Sequence, residues 1–236
     1  MDQNRIFGKA FLTSQTLQAV KKLPSKEAFK GWLLENYDFL RCFHGCRPAD
    51  VGSYYRSGFL PSDNMQTASN FDNFLKSINY VHPYDISHVL TSHSGKIDKL
   101  IYFILDEEDF LDLAPHYILY GSELMLSLAQ NVDELLKYHL RTIGIPTVFQ
   151  CDIPLETFED RELIPIYERI LDAKGKFGQK LWQVFSNYSV IVPSKLDGRY
   201  ITGHTHPTDE IYDFHAQERF QNTLNTCSEC GDNNEK

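Results

Sequence analysis

The sequence predicts a mixed α+β domain, and three observations lead there. Phe29, Trp32, Leu33, Tyr37 and Leu40 recur at helical spacing near the N-terminus. Beyond them, short runs rich in aromatic and β-branched residues read as strands: LIYFIL (100–105), TVFQCDIPL (147–155), YSVIVP and RYITGH. Helices thus come first and short strands are spread through the remainder, with no internal repeat.

Taken in order, residues 14–40 form helices, with Ser14 capping the first and Pro24-Ser25 punctuating before the second. RCFHG (41–45) is a short strand ending at glycine. ADVGSYYRSGF (49–59) is a short helix closed by Gly58, a usual place for a C-terminal cap. Segment 61–98, rich in Ser, Asn, Asp and His, reads as loop with short helices, NFDNFLKSI among them. HYILYGSELMLSLA begins as a strand and turns helical after Tyr120-Gly121. Asn131, with Glu134 three residues on, resembles a capping box opening the helix DELLKYHL. IPIYERILDAKGKFGQKLWQVF is mostly helical, and QERFQNTLNTCSECGDNNEK reads as a loose polar tail. The expected division is a helical N-terminal extension over 1–40, a main domain over 41–215 and a flexible tail over 216–236.

Composition narrows the function classes. With 236 residues, 42% of them apolar and 13% aromatic, the chain suits one well-cored domain with additions. No apolar run approaches the roughly 20 residues of a membrane-spanning helix. MDQNRIFGKAF lacks the basic start and apolar core of a secretory signal. Five cysteines, with Cys42, Cys46 and Cys151 scattered, do not form a disulfide framework, and a reducing cytoplasm is the expected compartment. A net charge of −9, from 32 acids against 23 bases, speaks against non-specific binding to a nucleic-acid backbone. It leaves room for a nucleic-acid substrate in a local basic cleft. Lys21, Lys22, Lys26 and Lys30 read as a solvated helix face.

Neither GxGxxG nor GxxxxGK[ST] occurs, and GxSxG and HExxH are missing too, so any nucleotide site is of another kind. Two metal-like groups stand out. His204-Thr-His206 and Cys227-Ser-Glu-Cys230 together offer the ligands of a tetrahedral zinc site. A CxxC in a polar tail is a weak signal, however, and the histidine pair reads better as a turn, so no metal is expected. Asp106, Glu107, Glu108, Asp109 and Asp112 offer oxygen ligands to a hard cation, but a solvated loop or helix start accounts for them better.

His44-Gly45-Cys46-Arg47 resembles the His-Gly-Ser-Arg that begins the NAD site of diphtheria-toxin-like ADP-ribosyltransferases, the poly(ADP-ribose) polymerase branch especially. A short helix and a Gly-Leu pair follow in that family, and here Gly58-Phe59 sits at the same interval. Ile118-Leu119-Tyr120-Gly121-Ser122-Glu123-Leu124 resembles the second family element, a strand ending in tyrosine before a helix. Asn187-Tyr188-Ser189-Val190-Ile191-Val192, with Arg199-Tyr200-Ile201-Thr202 after it, resembles the third. The resemblance implies a split sheet of short strands and a catalytic domain over 41–215.

It also implies roles. The Gly45 backbone, with Cys46 beside it, would hold the nicotinamide amide, since a residue without Cβ lets the chain approach closely. His44 would donate to a ribose hydroxyl, Tyr120 would stack on nicotinamide, and Arg47 would neutralise pyrophosphate or order the pocket. Tyr54 and Tyr55 read as helix packing, although the family often covers its ligand with a nearby residue. Asn187 stands where the full triad has glutamate, which implies transfer of single units; Glu123 and Asp197 are the alternative carboxylates. The implied function is NAD-dependent mono-ADP-ribosyl transfer to a protein or nucleic acid, in the manner of a toxin or phage-defence effector with an inhibitory protein partner. Two alternatives stand beside it. One is an NAD-dependent RNA 2′-phosphotransferase, which Arg41 and Arg47 allow and Tyr120 opposes. The other is an inactive ADP-ribosyl-fold binding module.

Overall fold

The computed structural model describes residues 5–61, 64–81, 100–172, 184–222 and 227–230. The expected loop beyond residue 81, the long helix beyond Asp172, and tail residues 223–226 and 231–236 lie outside the described residues.

A six-stranded sheet organises the chain, with β2 (Phe39–Cys46) at its centre. β4 (Thr147–Pro154) pairs with β2 along its whole length, from Phe39↔Pro154 to Cys46↔Thr147. On the other side, β1 (Ile6–Phe7) runs parallel to the start of β2, and β3 (Ile101–Ile104) pairs antiparallel near its end, at Phe43↔Ile104. β5 (Ser189–Val192) extends the sheet beyond β3, and β6 (Ile201–Thr205) extends it beyond β4. A separate hairpin is formed by β7 (Glu210–Asp213) and β8 (Glu218–Gln221).

Successive residues of a strand point to opposite faces, and both faces of this sheet are covered. Leu40, Cys42 and Cys46 of β2 join Phe149, Cys151 and Ile153 of β4 in one apolar cluster. That cluster includes Leu17 and Val20 of α1 (Ser14–Lys21), Phe29 and Leu33 of α2 (Lys26–Asn36), and Ile166 and Ile170 of α9 (Asp160–Asp172). The intervening residues Phe43 and Val148 face a second cluster. It draws on α4 (Asn64–Ser77), α5 (Asp109–Asp112), α6 (His116–Tyr120), α7 (Glu123–Val132) and α8 (Leu136–Leu140). The mixed helix-and-sheet class is as expected. Double burial is why β2 reads FLRCFHGC rather than as an apolar–polar alternation.

Several expectations change. The strand around RCFHG is longer, because β1, β3 and β4 all pair with it. α1 is capped by Thr13, whose side-chain oxygen accepts from the Thr16 N–H at 3.1 Å, while Ser14 lies inside the helix. Within the expected N-terminal extension, β1 joins the sheet, and α1 and α2 pack on α9 within the main core.

His116–Tyr120 is a helix and not a strand. Its bonds are local, with Leu119 N–H donating to the Pro115 carbonyl at 2.9 Å and Gly121 N–H to that of Tyr117 at 2.9 Å. Burial of three successive residues, Ile118, Leu119 and Tyr120, is how a short core helix is enclosed, and among the described residues it joins no strand ladder. The Asn131–Glu134 capping box does not form. Asn131 sits inside α7, and Asp133 performs the local capping by accepting from Leu135 N–H at 2.9 Å. The supposed tail supplies β8, a buried Asn222 and a buried Cys227. Of the acids at 106–112, Asp106 and Asp109 are buried instead of solvated; Lys9 Nζ lies 2.6 Å from Asp106 Oδ1 and puts an ammonium where a hard cation was considered.

Gly58 ends α3 (Gly52–Ser57) as expected, at φ 74°. Here the residue type is obligatory, because a Cβ would lie 1.9 Å from the Leu196 carbonyl oxygen. The same turn pairs Phe59 with Leu196 through two backbone bonds of 2.8 and 3.0 Å. Gly58→Ala is therefore expected to cost about 3 kcal/mol or more, read as a lower urea midpoint with an unchanged slope. A midpoint within a few tenths of a kcal/mol of the parent would show that this turn does not constrain the fold.

Candidate functional site

Strand alternation decides what the site residues can share. His44 lies on the face of β2 that carries Cys42 and Cys46, and its ring packs against Phe59 and Phe103 at centroid distances of 4.8 and 5.5 Å. Its Nδ1 is 2.9 Å from the Tyr102 carbonyl oxygen. A carbonyl only accepts, so Nδ1 carries the hydrogen. Burial lowers the pKa of His44, against a smaller opposing effect of that carbonyl, and the ring is neutral at pH 7. Neutral and protonated at Nδ1, the ring presents Nε2 as an acceptor. The sequence had suggested a donor to a ribose hydroxyl; the tautomer reverses that role.

Gly45 points to the opposite face, where the Phe110 ring lies against it. A Cβ at Gly45 would meet Phe110 ring carbons at 2.5–2.9 Å. The close approach that requires glycine here is to a phenyl ring of the fold. Cys46 is buried, and burial pushes its thiol pKa up to about 12 against the smaller effect of a Tyr54 hydrogen bond. Its backbone pairs with Thr147.

Arg47 is committed inside the protein. It donates to the carbonyls of Ile143 and Ile118 at 2.9 Å, to that of Gly144 at 3.3 Å, and to Asn222 Oδ1 at 2.9 Å. Burial lowers its pKa to about 10, which still leaves it charged at neutral pH. Arg41 likewise forms a two-pronged pair with Asp152 across β2 and β4, both bonds 2.7 Å. Neither guanidinium is placed to receive a phosphate.

Tyr120 belongs to the cluster on the other side of the sheet from His44 and is 2% exposed. Its hydroxyl donates to Asp213 Oδ2, which also accepts from Arg141 Nη1 at 3.0 Å. Arg141 continues to Glu218 at 2.7 Å, while Asp213 Oδ1 accepts the N–H groups of His215 and Ala216 at 3.0 and 3.1 Å. Burial, then the Asp213 bond, raises the Tyr120 pKa. This network ties the β7–β8 hairpin to the helical layer.

Asn187 precedes β5 in a turn at φ 52°, its N–H donating to Asp109 Oδ2 at 2.5 Å and its carbonyl accepting from Arg169 at 3.1 Å. Its conformation and backbone partners make it a turn residue. His44, Tyr120 and Asn187 are thus not brought together.

The alternative carboxylates also separate. Glu123 stands exposed beside His116 at 3.3 Å, next to the Tyr120 helix. Asp197 directly follows Leu196, the backbone partner of Phe59, whose ring touches His44. Cavities of about 310 Å³, bordered by Tyr37, Phe39 and Tyr200, and about 240 Å³, bordered by Lys26 and Asp160, include neither His44 nor Tyr120.

What sequence spacing undervalued is a tertiary meeting. His204 lies in β6 rather than a turn, and His204, His206, Cys227 and Cys230 bring their ligand atoms within 4.8 Å of one another. Comparison with protein-family models, with curated proteins and with solved structures gives no match to this chain.

Tyr120→Phe removes one buried hydrogen bond to the Asp213 carboxylate, which keeps Arg141 and two backbone N–H groups, so it is expected to cost roughly 1–3 kcal/mol of stability. Thermal denaturation checks this, and an unchanged transition would mean that the hydroxyl does not anchor the hairpin. Asn187→Gly keeps the left-handed turn and is expected to be near neutral, whereas Asn187→Val is expected to lose at least about 1–2 kcal/mol. Equal stabilities of the two variants would contradict the turn role.

Proposed function

We propose that the chain cleaves NAD at the nicotinamide–ribose bond and transfers one ADP-ribose unit to a macromolecular acceptor, protein or nucleic acid, using the face of the sheet that carries His44. One observation carries this reading. β2 delivers His44, α3 closes at Gly58 fourteen residues later, and Phe59 joins the ring of His44 to the backbone that leads into Asp197. Asp197 follows that backbone, with its Oδ1 accepting the Arg199 N–H at 2.9 Å.

The chemistry asks for a neutral acceptor and a carboxylate. Loss of nicotinamide spreads positive charge over the ribose, a state that a carboxylate stabilises. Asp197 takes that role in place of Asn187, whose backbone is spent in a turn. His44 accepts a ribose hydroxyl through Nε2 and contributes by holding the sugar in a reactive pose. Among the described residues of this face we assign no second carboxylate that would activate the ribose of a previous unit, which supports single-unit transfer. Tyr120 and Arg47 have structural roles in this reading.

A second reading is an inactive module of the same fold. It is favoured by the occupation of Gly45, Arg47 and Tyr120 by Phe110, carbonyl groups and Asp213. Nicotinamide release separates the two.

The expected outcome is that wild-type protein with a cell extract releases nicotinamide, and that His44→Ala and Asp197→Asn each lower the rate by about 100-fold. Tyr120→Phe, assayed per folded molecule, should retain the parent rate. Since burial lowers the His44 pKa, the rate should hold as pH falls through 6.5 and decline only at more acidic pH. No release with any extract, while calorimetry still shows NAD binding, would favour the inactive module.

A further inference from the structure

We propose that His204, His206, Cys227 and Cys230 bind one structural zinc ion that clasps the chain's last described turn to the sheet and to α3. The inference is independent of the NAD reading. Four ligand atoms lie within 4.8 Å of one another, with His204 Nε2 3.2 Å from Cys230 Sγ and 3.6 Å from Cys227 Sγ. With Zn–S near 2.3 Å and Zn–N near 2.05 Å, the edges of a tetrahedron are about 3.6 Å. The spacing therefore matches two nitrogens and two sulfurs around one ion.

The supporting bonds point the same way. His204 Nδ1 is 2.7 Å from the Tyr55 hydroxyl, and His206 Nδ1 is 2.9 Å from the Pro146 carbonyl oxygen. Each ring is oriented through Nδ1 and turns Nε2 inward, the arrangement by which outer partners fix metal-binding histidines. His206 Nε2 is a buried atom with no hydrogen-bond partner, which is costly unless something else occupies its lone pair. Cys227 is buried at 3% exposure beside it.

Topology explains how the four meet. Residues i and i+2 of a strand share a face, so His204 and His206 point together at the end of β6, their rings 4.9 Å apart. The β7–β8 hairpin then carries the chain out, and Cys227 to Cys230 form a turn closed by a 3.3 Å backbone bond. Two nitrogens and two thiolates in a tetrahedron favour zinc among common divalent ions. All four positions are filled by the protein, which makes the ion a structural clasp and not a catalytic centre. The clasp reaches α3 twice, through Tyr55 and through Glu229, whose carboxylate lies where a Cβ on Gly52 would be, 2.3 Å from Oε1.

The test is the metal content of the full chain, purified from zinc-supplemented cells with reductant and no chelator. About one zinc per chain is expected, and after exchange Co²⁺ should show the intense visible bands of tetrahedral cobalt with a thiolate charge-transfer band. Cys230→Ser alters an exposed residue and should lose the ion on dialysis. Tyr55→Phe keeps all four ligands and should weaken zinc retention by about tenfold or more. Wild-type protein without zinc, a weak octahedral cobalt spectrum, or a Cys227–Cys230 disulfide found by mass spectrometry under the same reducing conditions would overturn the proposal.

Discussion

β2 is bonded to strands on both sides and buried on both faces, and that double burial constrains everything attached to it. A strand in this position has one residue period and two cores to satisfy. Leu40, Cys42 and Cys46 answer to α1, α2 and α9, while Phe43 answers to the helical layer that contains Tyr120. His44 and Gly45 continue the alternation and therefore look in opposite directions. Any site built from His44 must be completed from its own face, by α3, Phe59 and the chain around Leu196. A residue such as Tyr120, packed in the other cluster, can affect it only through the fold.

The polar side chains follow the same division. Arg47 leaves the end of β2 and gathers carbonyls from the Ile143–Gly144 loop and α6 together with Asn222. Tyr120, Arg141, Asp213 and Glu218 fasten the outer hairpin. Groups that resemble ligand contacts when taken along the sequence are thus the means by which a largely apolar sandwich orients its loops. On the His44 face the corresponding device is the histidine–cysteine cluster. It includes His204, the β6 partner of Phe149, and bonds to α3 through Tyr55.

Much of the fold was legible because its signals are local. β3, β4, β5 and β6 announce themselves by compact aromatic and β-branched runs, and Gly58 marks a turn that no other residue type can make. HYILY misleads because four apolar residues after a histidine carry too little periodicity to separate strand from buried helix. β8 was missed because a strand of a two-stranded hairpin, exposed along most of its length, shows no apolar alternation. The site was less legible still. Its residue types were visible at His44, His204, His206, Cys227 and Cys230, but which face each occupies, and that the last four converge, depends on strand register and on a hairpin returning to the sheet.

The proposal that NAD binds on the His44 face is tested most directly by NMR mapping of NAD binding. With uniformly labelled protein, added NAD is expected to shift the His44 ring, the amides of Phe59, Leu196 and Asp197, and the C-terminal end of α3. Signals of Tyr120, Arg141 and Asp213 should stay in place. Shifts centred on Tyr120 and its hairpin, or none anywhere at saturating NAD, would contradict the account.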